Sequence, residues 1–211
     1  MKCVIIANGS LKLEKAVEDI IKGAKLVVCA DGGARHMKAL GLLPGALIGD
    51  FDSLSPEDKL YFEKKSTPII RFNSKKDRTD TDLAISWAIE NGADDITLIG
   101  VTGTRLDHTF CNILMLKRMI ELNIPCRIVD THNEIHLVVD RLEIKGKPGE
   151  LLSIIPICEK ATGVTLEGLE YPLSNATMNM GSSLGTSNAF IKDTAVISIN
   201  SGILAVFKSK D

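Results

Sequence analysis

The sequence predicts an α/β protein: an N-terminal, mostly parallel open sheet with helices on both faces, followed by a smaller all-β, sandwich-like domain. Three observations carry this expectation. Short apolar, β-rich runs alternate with helical periodicity as far as about Asp130, which is the pattern of a parallel sheet covered by helices. Beyond that point helical periodicity disappears, and short β-rich runs punctuated by turn residues take over. The chain of 211 residues, 45% hydrophobic, can also bury a sizeable core without disulfide or metal staples. The expected domains are 1–132 and 133–211.

Taken in order, Cys3 to Ala7 reads as a strand, and Leu13, Ala16, Val17, Ile20 and Ile21 fall at helical spacing across Leu13 to Lys22. Leu26 to Ala30 is a second apolar strand, Ala34 to Leu40 a short helix and Ala46 to Gly49 a brief strand. Ser55 with Pro56 is a helix start, a capping hydroxyl followed by proline at the first position. Ile69 to Phe72 is strand-like, followed by a helix from about Thr81 to Asn91 and a strand from Ile96 to Gly100. A long helix from about His108 to Asn123, on which Met115 packs as Trp87 does on the helix before it, leads to the strand Cys126 to Val129. In the second domain the strands are Ile135 to Val139, Leu151 to Ile157, Val164 to Leu166, Ala195 to Ile199 and Ile203 to Phe207. Gly146, Pro148-Gly149, Gly163, Gly168 and Ser201-Gly202 read as the turns between them.

Composition narrows the function classes. With 27 acidic against 25 basic residues, for a formal charge of -2, and no basic run, nucleic acid is not an expected partner. No apolar stretch approaches the roughly 18 residues of a membrane span, and Met1 to Ala7 has no signal-peptide pattern, so a cytoplasmic protein is expected. The five cysteines are scattered, without a CxxC spacing, and read as reduced core residues rather than a zinc site or redox pair.

Ligands of open α/β sheets sit outside the carboxyl ends of the strands, and in this sequence aspartates recur there. Asp31 follows the second strand and precedes Gly32 and Gly33; Asp50 and Asp52 follow the third; Asp107 follows the Gly-rich stretch Gly100 to Arg105; and Asp77, Asp80 and Asp82 precede a helix. Each has a local explanation, as a turn residue or a cap such as Thr79 with Asp82. As a set, several carboxylates at one sheet edge would repel one another unless cations held them, and hard cations such as Mg2+ are bound by carboxylates together with substrate phosphates. Neither a Walker A sequence nor GxGxxG is present, so the phosphates must be held otherwise. The cations to hand are Arg35, Lys75, Lys76, Arg78 and Arg105; Arg105, between the Gly-rich turn and Asp107, is the best placed clamp. His108 is read as a cap or orienting group.

The ordered motifs Ala30-Asp-Gly-Gly-Ala34, Gly49-Asp-Phe-Asp-Ser53, Lys76-Asp-Arg-Thr-Asp-Thr-Asp82, Gly103-Thr-Arg-Leu-Asp-His-Thr109, Gly168-Leu-Glu-Tyr-Pro-Leu173 and Gly185-Thr-Ser-Asn188 together resemble thiamine pyrophosphokinase over nearly the whole chain. The resemblance implies transfer of the pyrophosphoryl group of ATP to the hydroxyl of thiamine, giving thiamine diphosphate and AMP. Mg2+ is the implied cofactor, and the implied assembly is a homodimer with its site at the interface. It makes 1–132 the ATP- and Mg-binding catalytic domain and 133–211 the thiamine-binding and dimerisation domain. Asp52, Asp80 and Asp107 become catalytic, and Asp50, Asp52 and Asp80 the metal ligands. Asp31, Gly32, Gly33, Asp50, Ser53, Asp77, Thr79, Arg105, His108 and Asn112 become ATP- or phosphate-binding. Tyr171 takes the aromatic position over the thiamine pyrimidine, with Ser187, Asn188 and Asp82 as further thiamine contacts. Two positions depart from the family pattern: Thr104, where a further glycine is common, and Ala189, where an acidic residue is common in bacterial members.

Chemistry at such a site consists of positioning and charge stabilisation, with one carboxylate, Asp52 or Asp80, taking the alcohol proton. The alternatives are a haloacid-dehalogenase-like Mg-dependent phosphatase, since Asp50-Phe-Asp52-Ser53 imitates its motif, a metal-dependent glycosyltransferase, and a non-catalytic nucleotide-binding sensor. The βα units ahead of that motif and the long β tail speak against the phosphatase.

Overall fold

The computed structural model describes residues 1–73 and 77–210, so Lys75 and Lys76 lie outside the described residues. Two compact units divide the chain, Met1–Thr131 and His132–Asp211.

The first unit contains strands β1 (Lys2–Ile6), β2 (Leu26–Ala30), β3 (Ala46–Gly49), β4 (Ile69–Arg71), β5 (Asp95–Ile99) and β6 (Cys126–Val129). Every pairing among them is parallel, in the order β6-β5-β1-β2-β3-β4. The chain steps outward from β1 to β4 and then returns to place β5 on the other side of β1. Connections from β1 and β5 therefore leave in opposite directions and open a crevice at the carboxyl ends of these two strands.

The strands read as unbroken apolar runs because both their faces are covered. Val4, Ile6, Cys29 and Leu47 share one core with Val17 and Ile21 of α1 (Lys15–Gly23), Met37 of α2 (Ala34–Ala39) and Phe62 of α3 (Pro56–Lys64). The alternate residues Cys3, Ile5, Val28 and Ile48 are buried as well. By the strand period of two they face the other way, where α4 (Asp80–Glu90) packs on β1, β2 and β3 through Leu83, Ala84, Ile85 and Ala88. Phe62, fully buried and among the largest side chains of the core, is a sensitive position on the first face: its truncation to alanine costs about 3–5 kcal/mol. Ser55 caps α3 by accepting from the Asp58 N–H at 3.1 Å ahead of Pro56, as the sequence predicts. The last helix, α5 (Leu106–Glu121), begins two residues earlier than expected, so Asp107 lies in its first turn.

The second unit is an antiparallel sandwich of β7 (Asn133–Val138), β8 (Arg141–Lys145), β9 (Leu151–Pro156), β10 (Lys160–Glu167), β11 (Leu173–Asn179), β12 (Asn188–Ala189), β13 (Thr194–Ser198) and β14 (Leu204–Ser209). Strands run in the orders β12-β9-β14-β7 and β11-β10-β13-β8, and both rows contribute to one core that includes Ile154, Leu166, Met178, Ile197 and Val206. The sequence reading overlooked β8 and β11. β8 carries charge on its exposed positions and fully buries only Ile144, while β11 is a polar edge strand that buries only Met178. Gly163 was expected in a turn but lies inside β10, where the register shifts; its φ of +69° and an Asn200 side chain 2.3 Å from any added Cβ make this a bulge that only glycine fills.

All five cysteines are free; Cys3 and Cys29 are core residues, but Cys111 on α5 is exposed and is not. Among the described residues no helix is long and apolar enough to cross a membrane.

Candidate active site

The crevice at the carboxyl edge of the parallel sheet is a cleft of about 550 Å³ in the first unit. Each strand end supplies part of its wall: Asn8 and Gly9 follow β1, Asp31 follows β2, Asp50 follows β3 and the stretch Gly100 to Arg105 follows β5. Gly9 N–H donates to the Gly100 carbonyl at 2.7 Å, tying the two sides of the switch point together.

Two of these turns carry backbone strain. Asp31 sits at φ +48° and Phe51 at φ +66°, left-handed conformations that cost a non-glycine residue about 1–3 kcal/mol. The first turns Asp31 back toward the cleft within a single 3-10 turn, Asp31–Gly33; the second follows Asp50 directly. The surrounding sheet overrides local preference at both.

One oxygen from each of Asp31, Asp50 and Asp80 lies within 4.8 Å of the others, all three residues being half-buried. Asp80 reaches this group from the first turn of α4, which Thr79 caps by accepting from the Asp82 N–H at 3.2 Å. Such a spacing lets carboxylates share an ion bound at about 2.1 Å, and the Asp31 Oδ1 atom is buried without a hydrogen-bond partner. An all-oxygen donor set with one uncommitted buried oxygen fits a hard divalent cation.

The other predicted carboxylates stand apart from this trio. Asp52, which the resemblance implies as a metal ligand, is exposed and lies outside the trio and the cleft wall; its own N–H donates to Asp50 Oδ1 at 3.2 Å. Asp77 is exposed. Asp107 is exposed and paired with Arg105, Nη2 to Oδ2 at 2.6 Å, and this guanidinium holds its carboxyl below the usual carboxylate range. Asp82 is held between two arginines: Arg78 Nε donates to Oδ2 at 2.6 Å and Arg118 Nη1 bonds to Oδ1. Arg78 above all, and then Arg118, lowers its pKa against the opposing cost of burial.

Positive charge at the cleft comes from Arg35, Arg78 and Arg105. Arg35 is turned onto the backbone, donating to the Asn8 carbonyl at 3.0 Å, so it steadies the β1 turn. His108 also lines the cleft, and Asn112 is buried and donates to the Val101 carbonyl at 2.6 Å, holding the β5 loop. Ser53 is committed to Asp31, Gly32 and Asn8.

In the second unit, Tyr171 is 62% exposed, its ring without a core to fill. Asn188, by contrast, is buried at 1% exposure. Its amide forms a two-point clamp: Oδ1 accepts from the Tyr171 N–H at 2.9 Å and Nδ2 donates to the Tyr171 carbonyl at 2.8 Å. Ser187 is exposed at φ +54°, its N–H donating to Ser153 Oγ at 3.0 Å.

The sequence reading missed Asn8 and its neighbours Gly9 and Ser10. The rule that singled out Asp31 and Asp50, position just past an apolar strand, applies equally to Asn8, but a neutral amide does not announce itself as a carboxylate does.

Two family models match: Thiamin pyrophosphokinase, catalytic domain, over residues 17–128, and Thiamin pyrophosphokinase, vitamin B1 binding domain, over residues 138–204. A thiamine pyrophosphokinase of Bacillus subtilis is 32% identical over 209 residues, 98% of each chain. A crystal structure of thiamine pyrophosphokinase from Bacillus subtilis superposes with a TM-score of 0.89 at 30% identity, covering all of both chains. One from Geobacillus thermodenitrificans does so at 0.86 and 30%, covering 100% of this chain and 98% of the other.

Proposed function

Because the chain belongs to the thiamine pyrophosphokinase family and is an ATP-dependent pyrophosphotransferase, we propose that the cleft of its first unit is the Mg-ATP site and that Asp31, Asp50 and Asp80 hold the cation. The observation carrying this is the meeting of those three carboxylates at the switch point of the parallel sheet, beside Arg78 and Arg105. A triphosphate with about four negative charges could not settle among three carboxylates alone. Bound there, Mg2+ would offset that charge and polarise the phosphate oxygens.

The protein's own part is then positioning. Arg105, exposed at the mouth of the cleft, exchanges Asp107 for phosphate oxygen; Asp107 keeps the guanidinium at hand until then. His108 and Thr79 line the phosphate path; Gly32 and Gly33 complete the 3-10 turn that Asp31 opens, and Asp77 stands exposed two residues before Thr79. Asp80 is committed to the cation, so Asp52, exposed and outside the trio, is the carboxylate that takes the proton of the thiamine hydroxyl as its oxygen attacks the β-phosphorus and AMP departs.

Thiamine is held by the second unit. Tyr171 offers an exposed aromatic face to the heterocycle, Asn188 fixes the backbone that presents it, and Ser187 lines the rim. Asp82, locked between Arg78 and Arg118, supports the start of α4 rather than touching substrate. A homodimer is part of the same proposal: Leu106, Phe110 and Leu114 repeat every fourth residue of α5 and are 76%, 59% and 41% exposed, an apolar stripe suited to a second copy. So is a cytoplasmic setting, where the five free cysteines stay reduced.

Incubation with ATP, thiamine and Mg2+ should yield AMP and thiamine diphosphate in equal amounts, and chelation should stop it. Release of ADP or orthophosphate instead would refute the reaction. The dimer is tested by mixing Asp50→Ala with Tyr171→Ala chains under exchange, with thiamine held well below the wild-type KM so that both parents turn over slowly: sites shared between chains regain roughly a quarter of wild-type activity, whereas with sites within one chain the mixture stays at the mean of the two parents.

A further inference from the structure

We propose that Asn8, acting through Ser53, is a positioning residue that locks the Asp31 carboxylate in its cation-binding orientation; this rests on the reading of Asp31, Asp50 and Asp80 as the cation site. The argument is an accounting of one hydroxyl. Ser53 Oγ has three neighbours: the Gly32 N–H at 3.2 Å, Asn8 Nδ2 at 3.0 Å, and Asp31 Oδ2. A serine hydroxyl has one proton to give and two lone pairs to receive. A backbone N–H can only donate and a carboxylate only accept, so Gly32 takes one lone pair and the proton goes to Asp31. The second lone pair must meet a donor.

That requirement fixes the Asn8 amide. Turned the other way, its oxygen would face a hydroxyl whose only proton is already committed. The orientation that serves Ser53 leaves Asn8 Oδ1 buried with no hydrogen-bond partner, which is unfavourable in itself. An amide held at such a cost is serving something other than local stability. Its consequence is at Asp31: the bond from Ser53 to Oδ2 restrains the carboxylate that meets those of Asp50 and Asp80, and leaves its Oδ1 buried and without a hydrogen-bond partner. Gly32 is what admits the arrangement, because an added Cβ would stand 2.6 Å from both the Asn8 Cγ and Ser53 Oγ atoms.

The test measures Mn2+ affinity of the full chain in the presence of α,β-methylene-ATP, alongside thermal stability and steady-state kinetics. Asn8→Ala and Ser53→Ala should each weaken Mn2+ binding by about 10- to 100-fold. The double variant should be no weaker than Ser53→Ala alone, because one residue acts through the other. Ser53→Thr, which keeps the hydroxyl, should bind within about threefold of wild type, kcat should fall with the affinity, and the KM for thiamine should stay put. Asn8→Ala should melt at or near the wild-type temperature. Multiplicative losses in the double variant, or a lowered melting temperature with unchanged Mn2+ affinity, would overturn the proposal. Asp31→Asn separates the two levels. If it loses Mn2+ while Asn8→Ala does not, the positioning proposal alone fails; if Asp31→Asn also binds normally, the cation site itself was misassigned and the proposal falls with it.

Discussion

The two units hold their candidate residues in different ways. In the first, the side chains stand on strand ends of a parallel sheet, and backbone conformation aims them: Asp31 and Phe51 are forced into left-handed turns, and Asp80 into the first turn of a capped helix. In the second, Tyr171 lies in the segment after β10, is held by a single amide clamp from Asn188, and its ring is left in solvent. A parallel sheet directs all its carboxyl ends to one edge and so collects a site by topology. An antiparallel sandwich sends successive strand ends to opposite edges, and its site must be assembled contact by contact. Substitutions in the carboxylate trio of the first unit should therefore act on chemistry, and those around Tyr171 in the second on substrate affinity or on local stability, separately.

The sharpest test of that division is Asp50→Asn, which removes charge from the carboxylate trio at constant shape. It should lower kcat on the order of 10³-fold with unchanged thermal stability; a variant that turns over normally at saturating Mg2+ would dissolve the contrast. Asp52→Asn comes next and separates base from ligand. It should reduce kcat on the order of 10²-fold while Mn2+ affinity stays at the wild-type value, and loss of Mn2+ binding would return Asp52 to the ligand set.

In the second unit, Tyr171→Ala should raise the KM for thiamine by roughly tenfold, leave that for ATP unchanged and keep the melting temperature, since an exposed ring stabilises no core. Asn188→Ala should instead lower stability by about 1–3 kcal/mol, because the backbone groups of Tyr171 lose their partners. Equal stability losses in the two variants would mean that Tyr171 is a packing residue.

The smallest expected effect is electrostatic. Asp82, its pKa depressed chiefly by Arg78, contributes stability that is present above the unfolded-state value of about 3.9 and is lost as pH falls through the lower native value. Asp82→Asn should therefore be less stable than wild type at neutral pH by about 1–2 kcal/mol, and the gap should close in acid. A gap independent of pH would show that the arginines contribute packing rather than charge.

Much of this was written in the chain itself. Apolar runs of four or five residues alternating with helical spacing determined the parallel sheet, because strands buried on both faces admit little else; Ser55, Pro56 and Thr79 determined where helices begin, because capping is a contact between near neighbours. The aspartates past the strands were legible for the same local reason, and the glycine, tyrosine and asparagine motifs of the β tail only by their resemblance to a family. The edge strand Leu173–Asn179 was not legible, since a polar edge strand has neither alternation nor an apolar run to declare it. Nor was the choice among the aspartates. That Asp31 joins Asp50 and Asp80 while Asp52 stays outside, that Arg118 reaches Asp82 from 36 residues away, and that the Asn8 amide is spent on Ser53 all depend on which loop ends meet. Sequence spacing encodes what a residue does to its own turn, but a site made of contacts between strand ends exists only once the sheet has set their order.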